Sequence, residues 1–564
     1  MSRQVKNPDG IFFMRIALAQ QNYVIGDFTE NVRKMKSAIR LAKEKGATLI
    51  VFPELSVCAY PPRDFLEFED FIQKSREAVL DLATECSGIT AIAGLPTINE
   101  KPEGKNLFNS AVVLNNGKIS DTVHKALLPN YDIFDEYRYF EPNRQFHCVE
   151  VDGVKIALTI CEDLWNIDDD PMYVQSPMDE LIKEQPKLMI NIAASPFDYT
   201  HAGKRKAILS RNIKQYKIPL LYVNHAGAQT ELIFDGGSLG ISANGKFIGE
   251  LNSFHEDLGF FDFDEKTGSL NAFPQTVSGT VQPIDKIASI YNALVLGIHD
   301  YFKKQGFTKA ILGLSGGIDS AVVTALAAKA LGPENVKVLL MPSEFSSEGS
   351  VNDSLELIKN LGISHEIIPI APVYKQYLES LQPVFNNLPF NVTEENIQAR
   401  IRGALLMAVS NKFGYILLNT SNKSEIAVGY GTLYGDMCGG ISVIGDVYKT
   451  EVFELARFIN KEKSIIPEII ITKPPSAELR PNQKDSDSLP DYSELDKVLY
   501  QYVEQQKGPS ELIDMGFNES LVRRILKLVN TNEYKRYQTP PILRVSPKSF
   551  GMGRRLPIVG KYLS

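Results

Sequence analysis

The sequence predicts an α/β fold in two domains. Short apolar, β-rich runs alternate with helical patterns along most of the 564 residues, and the alternation lapses into polar and turn-forming residues at 262–285. A chain of this length has room for about two to four domains. We therefore predict one domain at 14–265, a linker at 266–285 and a second domain at 286–564.

Composition excludes several classes of protein. Hydrophobic residues make up 44% of the chain and charged residues 23%, as in ordinary globular proteins, so a collagen-like or largely disordered chain is excluded. Acidic residues outnumber basic ones by 68 to 60, which gives a net charge of −8. Such a surface repels a phosphate backbone on average, so we expect no nucleic-acid partner.

The cysteine and hydropathy patterns predict a cytoplasmic protein. The five cysteines form no Cys-x-x-Cys pair, which disfavours a disulfide scaffold and a structural zinc site. No apolar run approaches the roughly 18 residues that a membrane-spanning helix needs, so we expect no membrane partner. Residues 1–13 read as a polar leader, and Met14 is an alternative start.

The first half contains a series of strand-like runs. They are Arg15–Gln20, Thr48–Pro53, Ala91–Pro96, Ser110–Leu114, Val154–Ile160, Leu188–Ala193 and Leu220–Val223. Apolar residues recur at helical spacing from Val32 to Ala42, with Thr29 as the expected N-cap. The segment Asn115-Asn116-Gly117 predicts a tight turn after the fourth strand. Strands this apolar imply a sheet that is covered on at least one face.

The second half alternates more regularly and predicts a doubly wound parallel sheet. The expected strands are Ala310–Leu314, Val336–Met341, His365–Ile370 and Tyr415–Asn419. The expected helices are Ile318–Leu331, Val351–Leu361 and Glu394–Phe413. Residues Arg480–Tyr492 are polar and charged, and we expect them to form a mobile loop.

A glycine-rich segment separates the first strand of this second half from its first helix. Its residues are Gly313, Leu314, Ser315, Gly316, Gly317, Ile318, Asp319 and Ser320. Glycines let backbone N–H groups approach an anion, and a helix N-terminus favours negative charge, so the segment predicts a phosphate cradle. Asp319 would repel phosphate unless it holds a Mg²⁺ ion that bridges the phosphates. The alternative is a tight turn without a ligand.

Three polar residues in the first half follow or adjoin strands, and together they suggest nucleophilic chemistry. They are Glu54, Lys125 and Cys161. A thiol at a strand-to-helix turn can have a lowered pKa and face a cleft. A carboxylate can deprotonate such a thiol, and a lysine can stabilise the thiolate and a developing oxyanion. The alternatives are a buried structural cysteine or a Cys–His pair with His124 as the base.

Both sets of residues resemble known motifs. The S-G-G-x-D-S form of the glycine-rich segment resembles the PP-loop of ATP pyrophosphatases, which adenylate an oxygen and release pyrophosphate. The other set resembles the triad of the nitrilase, or carbon–nitrogen hydrolase, family. That resemblance implies Glu54 as general base, Lys125 as support for the oxyanion and Cys161 as nucleophile. Glu136 lies where the nitrilase family often has a second glutamate.

The order of the two parts resembles the glutamine-dependent NAD⁺ synthetase family over nearly the whole chain from Met14. The resemblance implies an N-terminal αββα nitrilase-like sandwich and a C-terminal doubly wound PP-loop domain. It also implies an enzyme that takes ammonia from L-glutamine and amidates deamido-NAD⁺ through an adenylate. ATP would be a substrate and Mg²⁺ a cofactor, and the chain would self-associate through the synthetase domain.

The same resemblance implies binding residues. For L-glutamine they are Tyr131, Ser195 and Lys204, with a longer interval between the last two than the family pattern has. For ATP they are the glycine-rich segment together with Thr420, Lys449 and Ser476. For deamido-NAD⁺ they are Asn396, Arg400, Glu425, Asp436 and Lys535. For the metal they are Asp319 and Glu425.

Three other functions stay open from the sequence. One is a PP-loop enzyme that modifies tRNA, which the negative net charge and the lack of a Cys-x-x-Cys pair disfavour. Another is a stand-alone amidase with a degenerate nucleotide domain, which the intact Ser315–Ser320 segment disfavours. The third is a nucleotide sensor, which would bind ATP without releasing pyrophosphate.

Overall fold

The computed structural model describes residues 5–6, 12–167, 171–273, 285–476, 478–481, 483, 485–487 and 489–562. The chain separates into two compact units, Met1–Ile284 and Asp285–Ser564. The division falls in the segment where the sequence predicts the linker. Part of that segment, 274–284, lies outside the described residues.

The first unit is built from two sheets, a hairpin and a set of helices. Its strands are β1 (Val5–Lys6), β2 (Phe12–Gln20), β3 (Leu49–Val51), β4 (Thr90–Ile98), β5 (Leu107–Asn115), β6 (Lys118–His124), β7 (Val149–Val151), β8 (Val154–Ile160), β9 (Leu188–Ala193), β10 (Leu220–Asn224), β11 (Ala226–Gln229), β12 (Leu232–Asp235), β13 (Leu239–Ile241), β14 (Phe247–Glu250), β15 (Asp257–Asp264) and β16 (Ser269–Ala272). Its α-helices are α1 (Phe28–Glu44), α2 (Glu69–Ala83), α3 (Pro177–Leu181) and α4 (His201–Tyr216).

The two sheets of this unit each have a parallel centre and antiparallel edges. The first sheet has the order β16-β15-β2-β3-β4-β5-β6, with β1 beside β2, and the second has the order β14-β13-β10-β9-β8-β7. Strands β2, β3 and β4 run parallel, as do β8, β9 and β10. The carboxyl ends of parallel strands meet at one edge of a sheet, which is where β3 and β8 deliver the residues that follow them.

Alternation along β2 shows how the first sheet is buried on both faces. Ile16 and Leu18 belong to a cluster that includes residues of the second sheet, such as Leu158. Ala17 and Ala19 belong to a separate cluster with residues of α1 and α2. Because side chains of a strand point alternately to its two faces, one face packs on the second sheet and the other on the helices.

The second unit is a parallel sheet with helices. Its strands are β17 (Ala310–Gly313), β18 (Val336–Leu340), β19 (Ser364–Ile367), β20 (Ile416–Asn419) and β21 (Ile441–Ser442). Its α-helices are α5 (Lys286–Gln305), α6 (Ile318–Leu331), α7 (Glu348–Leu361), α8 (Ala371–Phe385), α9 (Val392–Phe413), α10 (Lys423–Val428), α11 (Lys449–Ile459), α12 (Glu468–Thr472), α13 (Tyr492–Leu499), α14 (Pro509–Asp514), α15 (Glu519–Thr531) and α16 (Glu533–Arg536).

The strand order of this sheet places a crevice at its centre. All paired strands run parallel, in the order β19-β18-β17-β20-β21. The order reverses between β17 and β20, and open α/β sheets bind ligands beyond the carboxyl ends of strands at such a point. The α/β class and the doubly wound parallel sheet expected from the sequence are confirmed.

Several predicted boundaries need correction. Helix α1 begins at Phe28, and its N-cap is Asp27 rather than Thr29, because the Asp27 carboxylate accepts a hydrogen bond from the Glu30 N–H. Strand β2 begins at Phe12, inside the segment that reads as a polar leader. Strand β16 pairs with β15 inside the segment predicted as the linker.

Of two segments without regular structure in the prediction, one has the predicted conformation and the other does not. The tight turn between β5 and β6 is confirmed, since Asn116 and Gly117 have φ values of 48° and 79°, as a two-residue hairpin turn of this kind requires. The segment Arg480–Tyr492 contains a 3₁₀ turn at Asp485–Asp487, where a loop was expected. Residues 482, 484 and 488 of that segment lie outside the described residues.

No helix in the described part of the chain is long and apolar enough to cross a membrane.

A buried ion pair fastens α4 to the hairpin of β11 and β12, and we expect it to stabilise the first unit. Arg205 donates to both oxygens of Asp235, at 3.0 and 2.8 Å, and both residues are buried. Replacing Arg205 with Ala leaves a buried carboxylate without its cation, which costs about 3–5 kcal/mol of unfolding free energy. Urea unfolding followed by the fluorescence of Trp165, the single tryptophan, reports on this unit.

The matched control for that experiment is Lys204→Ala on the same helix. Lys204 is exposed, so its replacement should change the unfolding free energy by less than about 0.5 kcal/mol. Equal midpoints for the Arg205→Ala variant and the unchanged protein would show that the pair does not stabilise this unit.

Candidate functional site

A buried carboxylate, that of Glu54, lies shortly after the end of β3 in the first unit. Glu54 is fully buried, and its Oε1 accepts from the Lys125 Nζ and the Asn109 Nδ2, both at 2.7 Å. Its Oε2 accepts from the Ala194 N–H at 2.9 Å. Strand β4 passes so close that a Cβ at Gly94 would lie 2.2 Å from the backbone nitrogen after Glu54. These contacts fix the position of the carboxylate.

A buried lysine joins Glu54 to a second glutamate. The Lys125 Nζ donates to both oxygens of Glu136, at 2.9 and 2.8 Å, and Tyr60 donates to Glu136 at 3.0 Å. Burial alone would lower the pKa of Lys125, but Glu136 and Glu54 outweigh it and hold that pKa well above its usual value. Burial raises the pKa of Glu136 to about 7, although Lys125 opposes the change. Lys125 is therefore an ammonium ion between two carboxyl groups.

Cys161 lies at a sharp turn where β8 ends. Its φ of 46° is in the left-handed region, and it opens a 3₁₀ helix, Cys161–Leu164. The Asp163 carboxylate holds the turn, because it accepts from the Ile160 N–H at 3.0 Å and from the N–H groups of Ala126 and Leu127 at 3.0 and 2.9 Å. Strained backbone of this kind persists only where its surroundings determine it, and it occurs often at active sites.

The pKa of the Cys161 thiol differs from the one that its position in the sequence suggested. The sequence position led us to expect a lowered pKa, but burial raises the pKa of Cys161 well above its usual value. Glu54 adds to the rise and Lys125 opposes it, which shows that both charges act on the sulfur. The resting group is therefore a protonated thiol that needs a base. The alternative of an isolated structural cysteine does not fit these surroundings.

The alternative base, His124, does not belong to this cluster. Its Nδ1 is hydrogen-bonded to the Ser110 hydroxyl at 2.7 Å, and its ring stacks on Phe108 with centroids 4.2 Å apart. Burial lowers the pKa of His124 to about 4, and His147 and Lys101 add to the effect. Since Lys125 is the next residue and contacts Glu54, the geometry favours the Glu–Lys–Cys arrangement.

The residue after Cys161 is a buried acceptor that sequence reasoning missed. Glu162 accepts from the phenol of Tyr131 at 2.8 Å and from that of Tyr173 at 3.1 Å. Burial raises the pKa of Glu162, and hydrogen bonds from these phenols oppose the rise. Tyr131, expected to bind glutamine, thus lies beside the nucleophile. A carboxylate that directly follows a candidate nucleophile was the available signal.

The two other residues expected to bind glutamine lie in different environments. Ser195 is buried, follows the residue whose N–H donates to Glu54, and its hydroxyl lies 2.7 Å from the His201 Nε2. Lys204 is exposed on α4, and the structure does not bring it to the cluster. His201 was not among the predicted residues.

The glycine-rich segment of the second unit forms a tight loop between β17 and α6. Gly316 has a φ of 77°, and a Cβ there would lie 2.4 Å from the Ser350 carbonyl oxygen, so only glycine fits. The Ser315 hydroxyl accepts from the Gly317 N–H at 3.2 Å. The helix N-terminus has no side-chain cap, which leaves backbone N–H groups available for an anion.

This loop lines a cavity of about 330 Å³ at the point where the strand order reverses. The cavity is also lined by most of the residues expected to bind ATP and by two of those expected to bind deamido-NAD⁺. The predicted residues that line it are Gly313, Leu314, Ser315, Gly317, Ile318, Asp319, Ser320, Thr420, Glu425, Asp436, Lys449 and Ser476. Gly316 is not among the residues that line the cavity. It lets the loop pass close to Ser350 of α7, where a side chain would not fit.

Opposite charges converge on one wall of the cavity. The Lys449 Nζ pairs with Asp319 and lies 3.5 Å from Glu425, and the Asn422 Nδ2 donates to Asp319 at 2.8 Å. Burial raises the pKa of Glu425 to about 8; Asp319 adds to the rise and Lys449 opposes it. Burial alone would lower the pKa of Lys449, but Asp319 and Glu425 hold it above its usual value.

Three residues expected to contact deamido-NAD⁺ instead hold one short segment of the chain, 429–433. Asn396 accepts from the Thr432 hydroxyl at 2.7 Å, and the Arg400 Nε donates to a carbonyl of the segment 429–433 at 3.2 Å. Lys535 donates to two carbonyls of the same segment, at 2.7 and 2.9 Å. This segment leads to Asp436, which lines the cavity.

Sequence reasoning missed several charged residues that line the cavity, among them Arg402, Lys473 and Asp485. Burial lowers the pKa of Arg402 to about 10. The phenol of Tyr492 donates to Asp485 at 3.0 Å. Arg400 is exposed on α9, and Arg402 lies two residues further along the same helix. Two residues turn a helix to nearly its opposite face, so this spacing could have indicated that Arg402 faces inward. Asp485 offered none, because it lies in a segment whose composition predicts a loop.

Comparisons with known families match both units. The carbon–nitrogen hydrolase family matches residues 15–272. The NAD synthase family matches residues 290–539.

Relatives and solved structures match the whole length. The glutamine-dependent NAD(+) synthetase of Synechocystis sp. is 46% identical and covers 96% of this chain and 98% of its own length. That of Thermotoga maritima is 40% identical and covers 97% and 99%. The structure of the Acinetobacter baumannii enzyme in complex with ADP is 38% identical, covers 97% of this chain and 98% of its own, and has a TM-score of 0.77.

The electrostatics of the cysteine predict how fast it reacts with iodoacetamide. Because Cys161 rests as a buried thiol whose pKa is raised mainly by burial, it needs a base to react, and Glu54 is the candidate. A Glu54→Gln substitution should therefore make alkylation at pH 8 at least about tenfold slower. Mass spectrometry of the Cys161 peptide gives the rate at each pH. Cys148, which is half-buried elsewhere in the unit, is the internal control and should react unchanged. An unchanged or faster reaction of Cys161 in the variant would contradict the assignment of Glu54 as its base.

Proposed function

The chain belongs to the glutamine-dependent NAD⁺ synthetase family, and we propose that its two units divide the reaction between them. The first hydrolyses L-glutamine to glutamate and ammonia, and the second uses ATP to amidate deamido-NAD⁺. The observation that carries this proposal is the presence, in one chain, of a buried Glu–Lys–Cys cluster and a phosphate cradle. Membership of this family also argues against the three alternative functions that the sequence leaves open.

In the first unit, Cys161 is the nucleophile and Glu54 the base. Glu54 takes the thiol proton while the sulfur attacks the side-chain amide carbon of glutamine, and Lys125 stabilises the negative charge that develops on the amide oxygen. Glu54 then gives the proton to the nitrogen, and ammonia leaves. Water, deprotonated by Glu54, attacks the thioester, which frees glutamate and restores the thiol.

The raised pKa of Cys161 fits this order of events. A thiolate that existed before substrate arrived would react with other electrophiles, whereas a thiol paired with a base is deprotonated only as the bond to carbon forms. Glu136 is a positioning residue, because it reaches Lys125 rather than the sulfur. Glu162 is placed to accept from the α-ammonium group of glutamine. Two phenols donate to its Oε1 and so hold the carboxylate in position, and a carboxylate has a second oxygen that can accept from a ligand.

In the second unit, the glycine-rich loop holds the phosphates of ATP. The pyridine carboxylate of deamido-NAD⁺ attacks the α-phosphorus, and pyrophosphate leaves. Ammonia then attacks the carbonyl carbon of the adenylate, and AMP leaves with the oxygen, which gives the amide of NAD⁺. Lys449, Thr420 and Ser476 line the cavity beside this loop and are proposed contacts of ATP.

The recognition of deamido-NAD⁺ is assigned to two kinds of residue. Glu425 and Asp436 line the cavity and are proposed to contact the substrate directly. Asn396, Arg400 and Lys535 act by holding the segment 429–433, which sets the position of Asp436. This division differs from the direct contacts that the family resemblance implies for all five.

The residues also fit a magnesium ion. Asp319 and Glu425 both face the Lys449 ammonium group, so two oxygen donors point to one place, and Mg²⁺ typically takes one or two carboxylates together with substrate phosphates. Within the described ranges, no group of three or more His, Cys, Asp or Glu side chains could hold a metal without such phosphates. When bound, the ion would neutralise charge on the phosphate oxygens.

We also propose that the chain forms homo-oligomers through the second unit. Exposed apolar residues cluster near the end of α8 and the start of α9; they are Tyr377, Val384, Leu388, Phe390 and Val392. Exposed apolar residues that are this close together in sequence can form a patch, and large exposed apolar patches mark association sites in proteins. The five cysteines are all free, which fits the reducing cytoplasm that we propose as the compartment.

Cys161→Ala tests the division of labour. With glutamine as nitrogen source, NAD⁺ formation should fall by about a thousandfold or more, because the nucleophile is lost. With ammonium salt it should stay within about twofold, since the second unit is intact. Asp319→Asn should abolish NAD⁺ formation from both sources. If the Cys161→Ala variant lost both activities, or kept both, the proposal would be wrong.

A charge in the apolar cluster should dissociate the oligomer. The variant Val384→Asp with Leu388→Asp should sediment as a 62.8-kDa monomer, because two carboxylates in a contact cost several kcal/mol (about 2–4 each). Met515→Asp replaces another exposed apolar residue of the same unit and should sediment like the unchanged protein. An unaltered sedimentation coefficient for the double variant would exclude this surface as the interface.

A further inference from the structure

Lys423 is a fully buried lysine of the second unit that the proposed reaction does not use. Its Nζ donates to the Glu504 carboxylate at 2.7 Å, to the Ser546 hydroxyl at 2.6 Å and to the Lys548 carbonyl at 2.9 Å. These three bonds use all three N–H groups of an ammonium ion. The Asp446 carboxylate lies 3.0 Å from the same nitrogen. The side chain is therefore held in one geometry by acceptors from several parts of the chain.

Asp446 ties the same point to the segment 545–548. Its carboxylate accepts from the N–H groups of Val545 and Ser546, at 2.8 and 2.7 Å, and from the Ser546 hydroxyl at 2.8 Å. Asp446 and Ser546 are both buried. Asp446 lies just before α11, and Lys423 is the first residue of α10. The cluster thus joins the starts of two helices to a segment that is about a hundred residues away in sequence.

The neighbours of Lys423 in sequence belong to the wall of the nucleotide cavity. Asn422 donates to Asp319 at 2.8 Å and caps α10 by accepting from the Glu425 N–H at 3.0 Å. Lys449, the first residue of α11, pairs with Asp319 and lies 3.5 Å from Glu425. The start of α10 therefore carries a residue of the buried cluster between two residues of the cavity wall.

Hydrogen bonds also join the two helix starts to each other. The Lys423 N–H donates to the Val447 carbonyl at 2.9 Å. The Lys449 N–H donates to the Ser424 hydroxyl, also at 2.9 Å. Because these bonds fix α10 against α11, a shift of the Lys423 backbone changes the distance between Glu425 and Lys449.

A buried charge cluster of this kind is a poor source of stability. The desolvation of the ions offsets their attraction, and apolar residues of similar volume often pack equally well. What such a cluster can supply is a single arrangement, because each buried donor must meet an acceptor in a fixed direction. The place where one arrangement matters is the adjoining wall, on which two carboxylates must meet one ion.

We propose that Lys423 is a positioning residue for the adenylation of deamido-NAD⁺. Through Asp446 and the segment 545–548 it fixes the start of α10, so that Glu425 and Asp319 can share one metal ion. The assignment rests on the proposed function of the second unit and deepens it. It also makes the segment 545–548 part of the support of the synthetase site.

The test uses four variants of the full-length chain. Lys423→Met keeps the length of the side chain and removes its N–H groups, and Lys423→Arg keeps a cation of a different shape. Lys423→Met combined with Glu504→Gln also removes a buried carboxylate that would otherwise lack its cation, which protects the fold. Lys497→Met is the matched control, since Lys497 is exposed on α13.

Hydrogen exchange of the protein without metal or nucleotide gives the first measurement. In both methionine variants of Lys423, exchange should become about fivefold faster or more in peptides from 423–428, 447–452 and 545–548, because their shared anchor is lost. Exchange in β17 and β18 should stay within about twofold. A purely structural role would instead raise exchange throughout the second unit of the double variant.

The Mg²⁺ requirement of pyrophosphate release gives the second measurement, with ATP, deamido-NAD⁺ and ammonium salt present. The Mg²⁺ concentration for half-maximal rate does not depend on the fraction of active enzyme, so partial unfolding leaves it unchanged. It should rise about fivefold or more in both methionine variants of Lys423 and about twofold in Lys423→Arg, because the carboxylates no longer meet at one point. Lys497→Met should leave it within about twofold.

Other results would overturn the assignment. An unchanged Mg²⁺ requirement in the methionine variants of Lys423, or faster exchange across the whole second unit of the double variant, would make Lys423 purely structural. If both methionine variants failed to fold, an unchanged Mg²⁺ requirement in Lys423→Arg would have the same meaning. If the unchanged enzyme released no pyrophosphate with these substrates, the proposed function itself would fail.

Discussion

The structure depends on a buried ammonium group, that of Lys125, held between two buried carboxyl groups. Neither Glu54 nor Glu136 could keep a negative charge at such depth alone, since an unpaired buried charge costs several kcal/mol. Lys125 makes the charge tolerable and, by contacting an oxygen of Glu54 at 2.7 Å, fixes the carboxylate that serves the thiol. The same cation opposes the rise in the pKa of Cys161. The proposed base, the proposed oxyanion support and the proposed nucleophile are thus one electrostatic unit.

The second unit uses a related arrangement for a different purpose. Lys449 is buried and faces Asp319 and Glu425 on the wall of the cavity. Here the carboxylates are the proposed ligands, because they can exchange their contact with the lysine for contacts with a metal ion and its bound phosphates. In both units a buried lysine faces acidic groups and opposes the rise that burial causes in the pKa of one of them, Glu136 in the first unit and Glu425 in the second. Each site therefore rests on a balance of charge that a single substitution disturbs.

Much of the fold was readable from local pattern. Strands Val154–Ile160 and Leu188–Ala193 and helix Ile318–Leu331 have the predicted bounds. Each is a buried, mostly apolar run with a polar or glycine residue at one end: the strands begin after Gly153 and Lys187, and the helix ends before Gly332. The N-cap of the first helix was missed since Asp27 and Thr29 are both suitable residues, and only the hydrogen bond distinguishes them. Short-range spacing thus predicts elements better than it predicts their ends.

The site in the first unit could be predicted only in part from the sequence, because some of its residues are placed by contacts between segments that are far apart in the chain. Lys125 contacts Glu54, and both charges act on the pKa of Cys161, but the rise in that pKa follows mainly from burial, which the sequence does not show. Lys204 fits the motif by its neighbours in sequence, yet the helix that carries it directs it to solvent. His201 takes the inward position through contacts with Ser195 and Trp165 that no local pattern encodes.

Isotope labelling measures directly whether nitrogen passes from the cysteine site to the synthetase site. Glutamine labelled with ¹⁵N in its side-chain amide is supplied with ATP, Mg²⁺, deamido-NAD⁺ and an equal concentration of unlabelled ammonium salt, and the mass of the NAD⁺ is recorded. If the second unit uses the ammonia that the first unit releases, the NAD⁺ should carry mostly ¹⁵N. NAD⁺ whose nitrogen is mostly unlabelled, formed while glutamine is hydrolysed at the same rate, would contradict it.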